Sequence, residues 1–206
     1  MRPDDTLHKR TIAVAPDDMR VLEIMAALGY SKAWLTHGIV DAEFLQLQHR
    51  EFRTSTDQNP EHYRHAAFVR FLRQHPPQTQ PQIDALLELQ DEGSDGVDLR
   101  VSRAIAVFET LNEHQLDAVR TMHPELLHGP ALRKFEQCHL IARVKTLGVP
   151  AVFGEVTAIG DSAVEAAVLT DPSLRVEHVR WLSEHGATRR VRNQSKELLR
   201  SRRFRG

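Results

Sequence analysis

The stretch DPSLRVEHVRWLSEHGATRRVRNQSKELL, residues 171–199, decides the fold class of this chain. Asp171 before Pro172 is typical of a helix N-terminus, because an N-cap carboxylate accepts a hydrogen bond from a free backbone N–H and the following proline lacks one. Gly186 then interrupts the helical periodicity, and a second amphipathic segment follows it. The stretch therefore predicts two helices joined by a short turn.

The same alternation of helical segments and helix-breaking residues runs through the rest of the chain. The breaks fall at Asn59-Pro60, Pro76-Pro77, Gly93 to Gly96, Gly129-Pro130, Gly148 to Pro150 and Gly160-Asp161. Aromatic residues make up only 6%, β-branched residues form no alternating runs, and Ala, Leu, Glu, Gln and Arg recur at helical intervals. The sequence therefore predicts an all-α fold with at least eight helices.

Length and composition are those of a globular protein. The chain has 206 residues, 41% of them hydrophobic and 27% charged, which predicts a single all-α domain over 1–206. We expect residues 1–15 to form a flexible N-terminus and residues 188–206 to form a basic terminal helix. These proportions exclude a disordered or collagen-like chain.

Membrane and disulfide chemistry are not expected. No stretch approaches ~18 consecutive apolar residues, and the opening MRPDDTLHKR has acids where a signal peptide would be basic and then apolar. Cys138 is the only cysteine, which excludes an intramolecular disulfide and a thiolate-cluster metal site. We therefore expect a cytoplasmic protein with no membrane partner.

Charge is unevenly distributed, although the formal net charge is −1. Residues 188–206 contain eight of the 27 Lys and Arg and one acid, Glu197, so this segment carries +7 and the rest of the chain −8. Residues 76–99 contain no Lys or Arg and six acids, which are Asp84, Glu88, Asp91, Glu92, Asp95 and Asp98. The chain therefore has one basic and one acidic segment.

Five cations of the basic segment fall on one side of the predicted terminal helix. At about 100° per residue they lie within an arc of roughly 80°. They are Arg189, Arg192, Lys196, Arg200 and Arg203. Such a stripe fits phosphates or an acidic protein surface, because guanidinium groups bind both anions through paired hydrogen bonds. The alternative is the solvated outer face of a capping repeat.

The spacing of four histidines suggests an internal repeat. His37, His75, His114 and His185 are separated by 38, 39 and 71 residues, the last being about twice 36. Helix pairs with such a period stack as an α-solenoid, in which each pair buries its apolar face against its neighbours. The predicted architecture is therefore a solenoid of stacked antiparallel helix pairs, with a compact irregular helical bundle as the alternative.

Residues 171–206 resemble a HEAT-like repeat. Val176 and Leu182 before Gly186 match the first helix and turn of such a repeat, and Val191-Arg192 and Leu198 match its second helix. The resemblance implies an α-solenoid that binds macromolecules on a concave or terminal surface. It implies no chemistry, and no catalytic motif of these proteins transfers to the positions of this sequence.

Five histidines directly precede residues that end helices. They are His37, His75, His123, His128 and His185. A histidine in the last turn hydrogen-bonds carbonyls that lack a helical partner and interacts favourably with the negative end of the helix dipole. We therefore expect all five to cap helix C-termini.

Other histidines raise the question of a ligand site or of catalysis. His178 interrupts an apolar stripe beside Trp181, which is typical of a hydrogen-bonded, partly buried histidine or of a ligand-facing position. His62 and His65 lie one turn apart beside Glu61, but zinc requires three or four ligands. We therefore expect no metal, no cofactor and no catalytic residue.

Residues 20–39 offer a competing motif, a helix-turn-helix. An amphipathic helix ends at Gly29 and Ser31 caps a second one, as in DNA-binding regulators. Residues 16–48 carry a net charge of −3, however, and Gly38 interrupts the second helix after two turns. A DNA reader needs positive charge, so an αα-hairpin is the simpler interpretation.

The sequence as a whole favours a non-enzymatic helical-repeat interaction or scaffold module. Its basic terminal helix is expected to bind an anionic macromolecule, either an acidic protein or the backbone of a nucleic acid. The acidic residues 84–98 of a second copy are also a suitable partner, which makes self-association a further hypothesis. The alternatives are a helical enzyme of unknown chemistry that uses His178 or the His62 and His65 pair, and a DNA-binding regulator that uses residues 20–39.

Overall fold

The computed structural model describes residues 19–89 and 97–204. These residues form twelve α-helices and a single-turn 3-10 helix and contain no β-strand, so the predicted all-α fold is confirmed. None of these helices combines the length and apolar character required to cross a lipid bilayer. The predicted flexible segment 1–15 and Asp91, Glu92 and Asp95 of the acidic segment lie outside the described residues.

The chain divides into two compact units, Met1–Arg103 and Ala104–Gly206. The described helices of the first unit are α1 (Met19–Leu28), α2 (Lys32–Thr36), α3 (Ala42–Thr54), α4 (Pro60–Gln74), α5 (Gln80–Leu87) and the beginning of α6 (Val97–Phe108). The second unit contains the end of α6, α7 (Glu113–Met122), the 3-10 helix Pro124–Leu126, α8 (Gly129–Leu147), α9 (Val149–Ile159), α10 (Ser162–Thr170), α11 (Val176–His185) and α12 (Arg189–Leu199). The single domain over 1–206 stays a prediction.

The core of the first unit forms around buried aromatic side chains. Trp34 contacts Tyr30 and Phe68 edge-on, with 4.9 and 5.9 Å between ring centroids. The Tyr30 hydroxyl donates a hydrogen bond of 2.6 Å to Gln48 on α3, and α1 packs against α3 and α4. Edge-on aromatic pairs stabilise a fold by about 0.5–1.5 kcal/mol beyond their buried area. These pairs therefore hold α2 against α4.

The first two helices follow the predicted hairpin, with one difference in length. α1 ends before Gly29, which has a φ of +71°, and Ser31 is the N-cap of α2. α2 has only five residues, because His37 caps it and Gly38 follows with a φ of +66°. It is therefore shorter than the two turns predicted, and its Trp34 is fully buried.

Two buried arginines of the first unit bind backbone carbonyls. Arg64 donates to the carbonyl of Leu28, the last residue of α1. Arg103 donates to the carbonyl of Leu89 at 3.0 Å, and both arginines are only 4% exposed. Carbonyls at helix ends lack helical partners, and a charged donor satisfies them strongly. These two cations therefore stabilise the fold.

The second unit is built on α8, the longest described helix. α8 packs against α7, α9 and α10, and α11 packs against α12. The core is aliphatic, and its members contributed by α9 and α10 include Val149, Val156, Val164 and Val168. The two helices predicted from residues 171–199 are therefore present, and they rest on this core through α10.

Four of the five predicted histidine caps lie at helix C-termini. The C-cap residues of α2, α4 and α7 are His37, His75 and His123. His185 ends α11, and its Nδ1 lies 3.2 Å from the carbonyl oxygen of Trp181. The prediction was wrong for His128, which is the N-cap of α8, because Gly129-Pro130 begins that helix with proline in its first turn.

The predicted helix start at Asp171 was also wrong. Asp171 is the C-cap of α10, and α11 begins at Val176 with Arg175 as its N-cap. The Asp171 carboxylate accepts hydrogen bonds from the N–H of Ser173, at 2.9 Å, and from its hydroxyl. An aspartate that binds the amide two residues ahead stabilises a turn, and this competes with a helix start.

Candidate polyanion-binding surface

α12 begins directly after the turn that joins it to α11. Its N-cap, Thr188, accepts a hydrogen bond of 3.2 Å from the N–H of Val191. Ahead of it, a Cβ added at Gly186 would lie 2.7 Å from the Leu182 carbonyl oxygen and 2.8 Å from the Val191 side chain. Real Cβ atoms do not approach so closely. Glycine therefore permits the turn that fixes where α12 starts.

A buried carboxylate also holds this turn. Glu165 on α10 is fully buried, and its Oε2 accepts a hydrogen bond of 2.8 Å from the N–H of Ala187. Its Oε1 has no hydrogen-bond partner among the described residues. Burial raises the pKa of this carboxyl above its usual 4.5, against the opposing effects of Ala187 and Arg192. The turn thus depends on a group whose charge is costly to bury.

The inner face of α12 is anchored in the core of the second unit. Val191 and Ser195 are buried, and the Ser195 hydroxyl donates to the carbonyl of Val191 at 2.9 Å. Leu198 and Leu199 pack against the aliphatic core. Ser195 is completely buried, so this small side chain lies where α12 packs against the neighbouring helices. One strip of the helix is therefore buried, and the opposite side faces solvent.

The outer face of α12 carries only polar and charged side chains. Its exposed residues, together with the C-cap, are Arg189, Arg190, Asn193, Gln194, Lys196, Glu197 and Arg200. The ion pairs found within residues 19–89 and 97–204 all lie elsewhere. The cations of this face therefore keep their charge and their hydrogen-bond donors for a ligand.

Three of the five predicted stripe residues lie on this face. Arg189, Lys196 and Arg200 are exposed, and in the described part of the chain no hydrogen bond engages their side chains. Their spacings of seven and four residues are close to whole helical turns, so they form one row along the helix. We refer to these three residues as the outer cations.

The other two predicted stripe residues are bound within the fold. Arg192 is half-buried and donates a hydrogen bond of 2.6 Å to the carbonyl of Gly186. Arg203 lies beyond the last helical residue of α12 and donates to the carbonyls of Asp171 and Pro172, at 3.0 and 2.8 Å. Arg203 is therefore not part of a helical stripe. We refer to this pair as the fold-bound arginines.

Two further exposed cations lie outside the predicted stripe. Arg190 is on the outer face about 100° from Arg189, and Arg202 follows the helix. The sequence contains a signal for Arg190, since the apolar and small residues of α12 occupy one narrow strip. A helix that buries a narrow strip leaves a wide arc to solvent, and this arc is wider than the predicted stripe.

His178 lies in the first turn of α11 and is 8% exposed. Its Nδ1 accepts a hydrogen bond of 3.2 Å from the N–H of Arg175, and its ring lies 4.5 Å from that of Phe153. Burial lowers the pKa of His178 below 6.5. These contacts are those of the hydrogen-bonded, partly buried histidine that was one of the two interpretations of the sequence.

Trp181 lies one turn further along α11 and is partly buried. Its ring contacts Phe153 edge-on at 5.7 Å and stacks on His185 at 5.0 Å. Trp181 therefore joins a row of aromatic contacts that ends at the exposed His185. The ligand-facing role of His178 and Trp181 stays a prediction.

His62 is paired with a neighbouring carboxylate, and no metal site forms around it among the described residues. His62 Nδ1 lies 2.8 Å from Asp57 Oδ2, and both side chains are exposed. Within 19–89 and 97–204, no group of three or more His, Cys, Asp or Glu is arranged to hold a metal ion. Burial raises the pKa of Cys138 to about 11, so its thiol is uncharged and weakly nucleophilic near neutral pH.

No family model, no curated protein and no solved structure matches this chain. The chemistry of the described surface is clearest at α12, where exposed cations without ion-pair partners in residues 19–89 and 97–204 cover one side of an anchored helix. Such a surface can bind anions by charge and by multiple N–H donors.

Proposed function

We propose that this chain is a non-enzymatic helical interaction module that binds the phosphate backbone of a nucleic acid through the outer face of α12. The observation that carries the proposal is the composition of that face, which combines the outer cations and Arg190 with polar residues and a single acid, Glu197, and exposes no apolar side chain. The planar guanidinium groups of Arg189 and Arg200 match pairs of phosphate oxygens, and Lys196 adds a point charge between them.

A nucleic-acid backbone fits this face better than an acidic protein does. Protein interfaces have an apolar centre, and aromatic anchors supply much of their binding energy. Interfaces with nucleic acids are more polar and much more positively charged. Asn193 and Gln194 lie among the cations, and their amides also donate to phosphate oxygens. An acidic protein is the second candidate, supported by the charges alone.

Binding of this kind does not depend on base sequence. Phe204 is the only aromatic residue of the basic segment, and it is partly buried with the guanidinium of Arg203 5.0 Å from its ring centre. It is therefore poorly placed to stack on bases. Contacts to phosphates alone give affinity through counterion release, which decreases steeply as salt increases.

The proposal extends to the architecture. The packing of α11 against α12 supports the proposal that they form a HEAT-like helix pair. A stack of such pairs would be an α-solenoid whose surface binds macromolecules. The lone Cys138 fits a reducing compartment such as the cytoplasm. Helix pairs of this kind need no cofactor to perform the proposed role.

Fluorescence anisotropy with a labelled random-sequence duplex of about 20 base pairs tests the proposed function. The test variant, Arg189→Gln/Lys196→Gln/Arg200→Gln, removes the outer cations. Each lost phosphate contact lowers the slope of log K against log salt by about 0.9. We therefore expect the slope to decrease by about 2.7 and the affinity near 0.1 M salt to decrease by about 100-fold or more.

The matched control, Arg50→Gln/Arg53→Gln/Arg73→Gln, removes three exposed cations of the first unit and changes the net charge by the same amount. Its affinity should stay within about threefold of wild type, because only long-range charge changes. Equal losses in the two variants would contradict the proposal. Stronger binding of poly-L-glutamate than of the duplex would identify an acidic protein as the partner class instead.

A further inference from the structure

A cleft of about 370 Å³ opens in the second unit, and no residue of α12 lines it. It lies between the end of α6, the first residues of α7 and one face of α8. Pockets of roughly 300–1,000 Å³ are the size that small organic ligands occupy. The cleft is therefore large enough for a small organic ligand, and nothing in the proposed function uses it.

The lining of the cleft is partly apolar. Phe108 and Leu111 are buried beneath it, and α8 contributes Ile141 and Ala142. Cys138 lies one helical turn before Ala142, and its thiol stays protonated near neutral pH because burial raises its pKa to about 11. The lining therefore offers a surface for a hydrocarbon ring or a short chain, without a reactive thiolate.

Both acidic side chains that line the cleft have cationic partners. Glu109 forms an ion pair of 2.7 Å with Lys134. Glu113 lies 3.8 Å from the guanidinium of Arg143, which also pairs with Glu155. A ligand that enters the cleft therefore meets carboxylates whose charge is largely compensated.

Lys145 is the lining charge that remains uncompensated. It is exposed on α8 and forms no ion pair within residues 19–89 and 97–204. Its spacing of eleven residues from Lys134 corresponds to about three helical turns, so the two lysines lie on the same face of α8 about 16 Å apart. The cleft therefore has an apolar middle and a free positive charge at one end.

We propose that this cleft binds a small amphipathic monoanion, whose ring or short chain rests on Ile141 above the buried Phe108 and Leu111 and whose carboxylate or sulfonate lies at Lys145. A neutral ligand of the same shape uses the apolar lining but gains nothing from Lys145. A ligand with two negative charges finds no second uncompensated cation in the lining, because Lys134 is already paired with Glu109. Charge complementarity thus selects one anionic group.

The probe for this proposal is 8-anilinonaphthalene-1-sulfonate, a small aromatic monoanion that becomes fluorescent at apolar surfaces. N-phenyl-1-naphthylamine is its neutral counterpart. In the full chain, we expect Lys145→Gln to weaken binding of the sulfonate about fivefold and to leave binding of the neutral probe within about twofold. Arg133→Gln, an exposed cation of α8 that does not line the cleft, should change neither affinity.

A second variant fills the cleft without disturbing the core. Thr146 lines the cleft and is exposed, so Thr146→Trp places a large ring there and should abolish saturable binding of both probes. The proposal is overturned if the wild-type chain shows no saturable sulfonate binding, if Lys145→Gln and Arg133→Gln behave alike, or if Thr146→Trp still binds both probes. None of these outcomes depends on nucleic-acid binding.

Discussion

The outer cations and the fold-bound arginines lie within the same short segment of the second unit, yet their surroundings differ. Arg189, Lys196 and Arg200 face solvent on an anchored helix. Arg192 and Arg203 donate to backbone carbonyls at the turns before α12 and after α10. A guanidinium that satisfies carbonyls has fewer donors left for a ligand. The position of a cation relative to a turn, rather than its charge, therefore decides whether its donors are used within the fold.

The first unit uses arginine in the same way. Arg64 binds the carbonyl of Leu28 and Arg103 binds that of Leu89, and both side chains are buried. These contacts, like those of Arg192 and Arg203, satisfy carbonyls where one helix ends and the chain changes direction. A count of positive charges in this sequence therefore overstates the number available to a partner.

The largest effect should follow from a change in the turn that Arg192 holds. Gly186→Ala places a Cβ against the Leu182 carbonyl and the Val191 side chain, so the helices must separate. We expect a loss of about 2–3 kcal/mol in the free energy of unfolding, measured by urea denaturation. Gly154→Ala in α9 is the matched control, because its Cβ meets no atom within 4 Å. It should stabilise the chain by about 0.5–1 kcal/mol.

A smaller effect should separate the two groups of cations. Arg192→Gln leaves the carbonyl of Gly186 without its charged donor, and we expect a loss of about 1–2 kcal/mol in the free energy of unfolding. Arg189→Gln should change it by less than about 0.5 kcal/mol, because an exposed cation without a partner in the described residues contributes little. Equal losses of unfolding free energy in Arg192→Gln and Arg189→Gln would contradict the distinction between the fold-bound arginines and the outer cations.

The smallest effect concerns pH and the carboxylate beneath the same turn. The pKa of Glu165 is raised in the folded state, so its contribution to stability is full below the unfolded pKa near 4.5 and is lost as pH rises through the folded pKa. In Glu165→Gln the side chain carries no charge at any pH. The variant should therefore not lose stability as pH rises through the range in which Glu165 ionises. We expect the variant to gain stability relative to wild type at pH 7, with the gain decreasing towards pH 4, as measured by urea denaturation. An unchanged pH dependence would refute the role of Glu165.

Local patterns made most of the helices predictable. Asn59 caps α4 ahead of Pro60 because cap and proline are adjacent in the sequence. The outer cations were predictable because helical spacing alone places them in one row. Local patterns failed at Asp171, whose side chain binds its own turn instead of starting a helix. They also failed at Arg203, because its partners lie about thirty residues away and become neighbours only in the fold.

The salt dependence of duplex binding, compared between two variants, tests the division of the cations most directly. The outer variant, Arg189→Gln/Lys196→Gln/Arg200→Gln, should lose about 2.7 units of the slope of log K against log salt and keep its melting temperature. The fold-bound variant, Arg192→Gln/Arg203→Gln, should melt at a lower temperature and, measured while folded, keep its slope within about 0.5 units of wild type. Equal losses of slope per removed cation in the two variants would contradict the account.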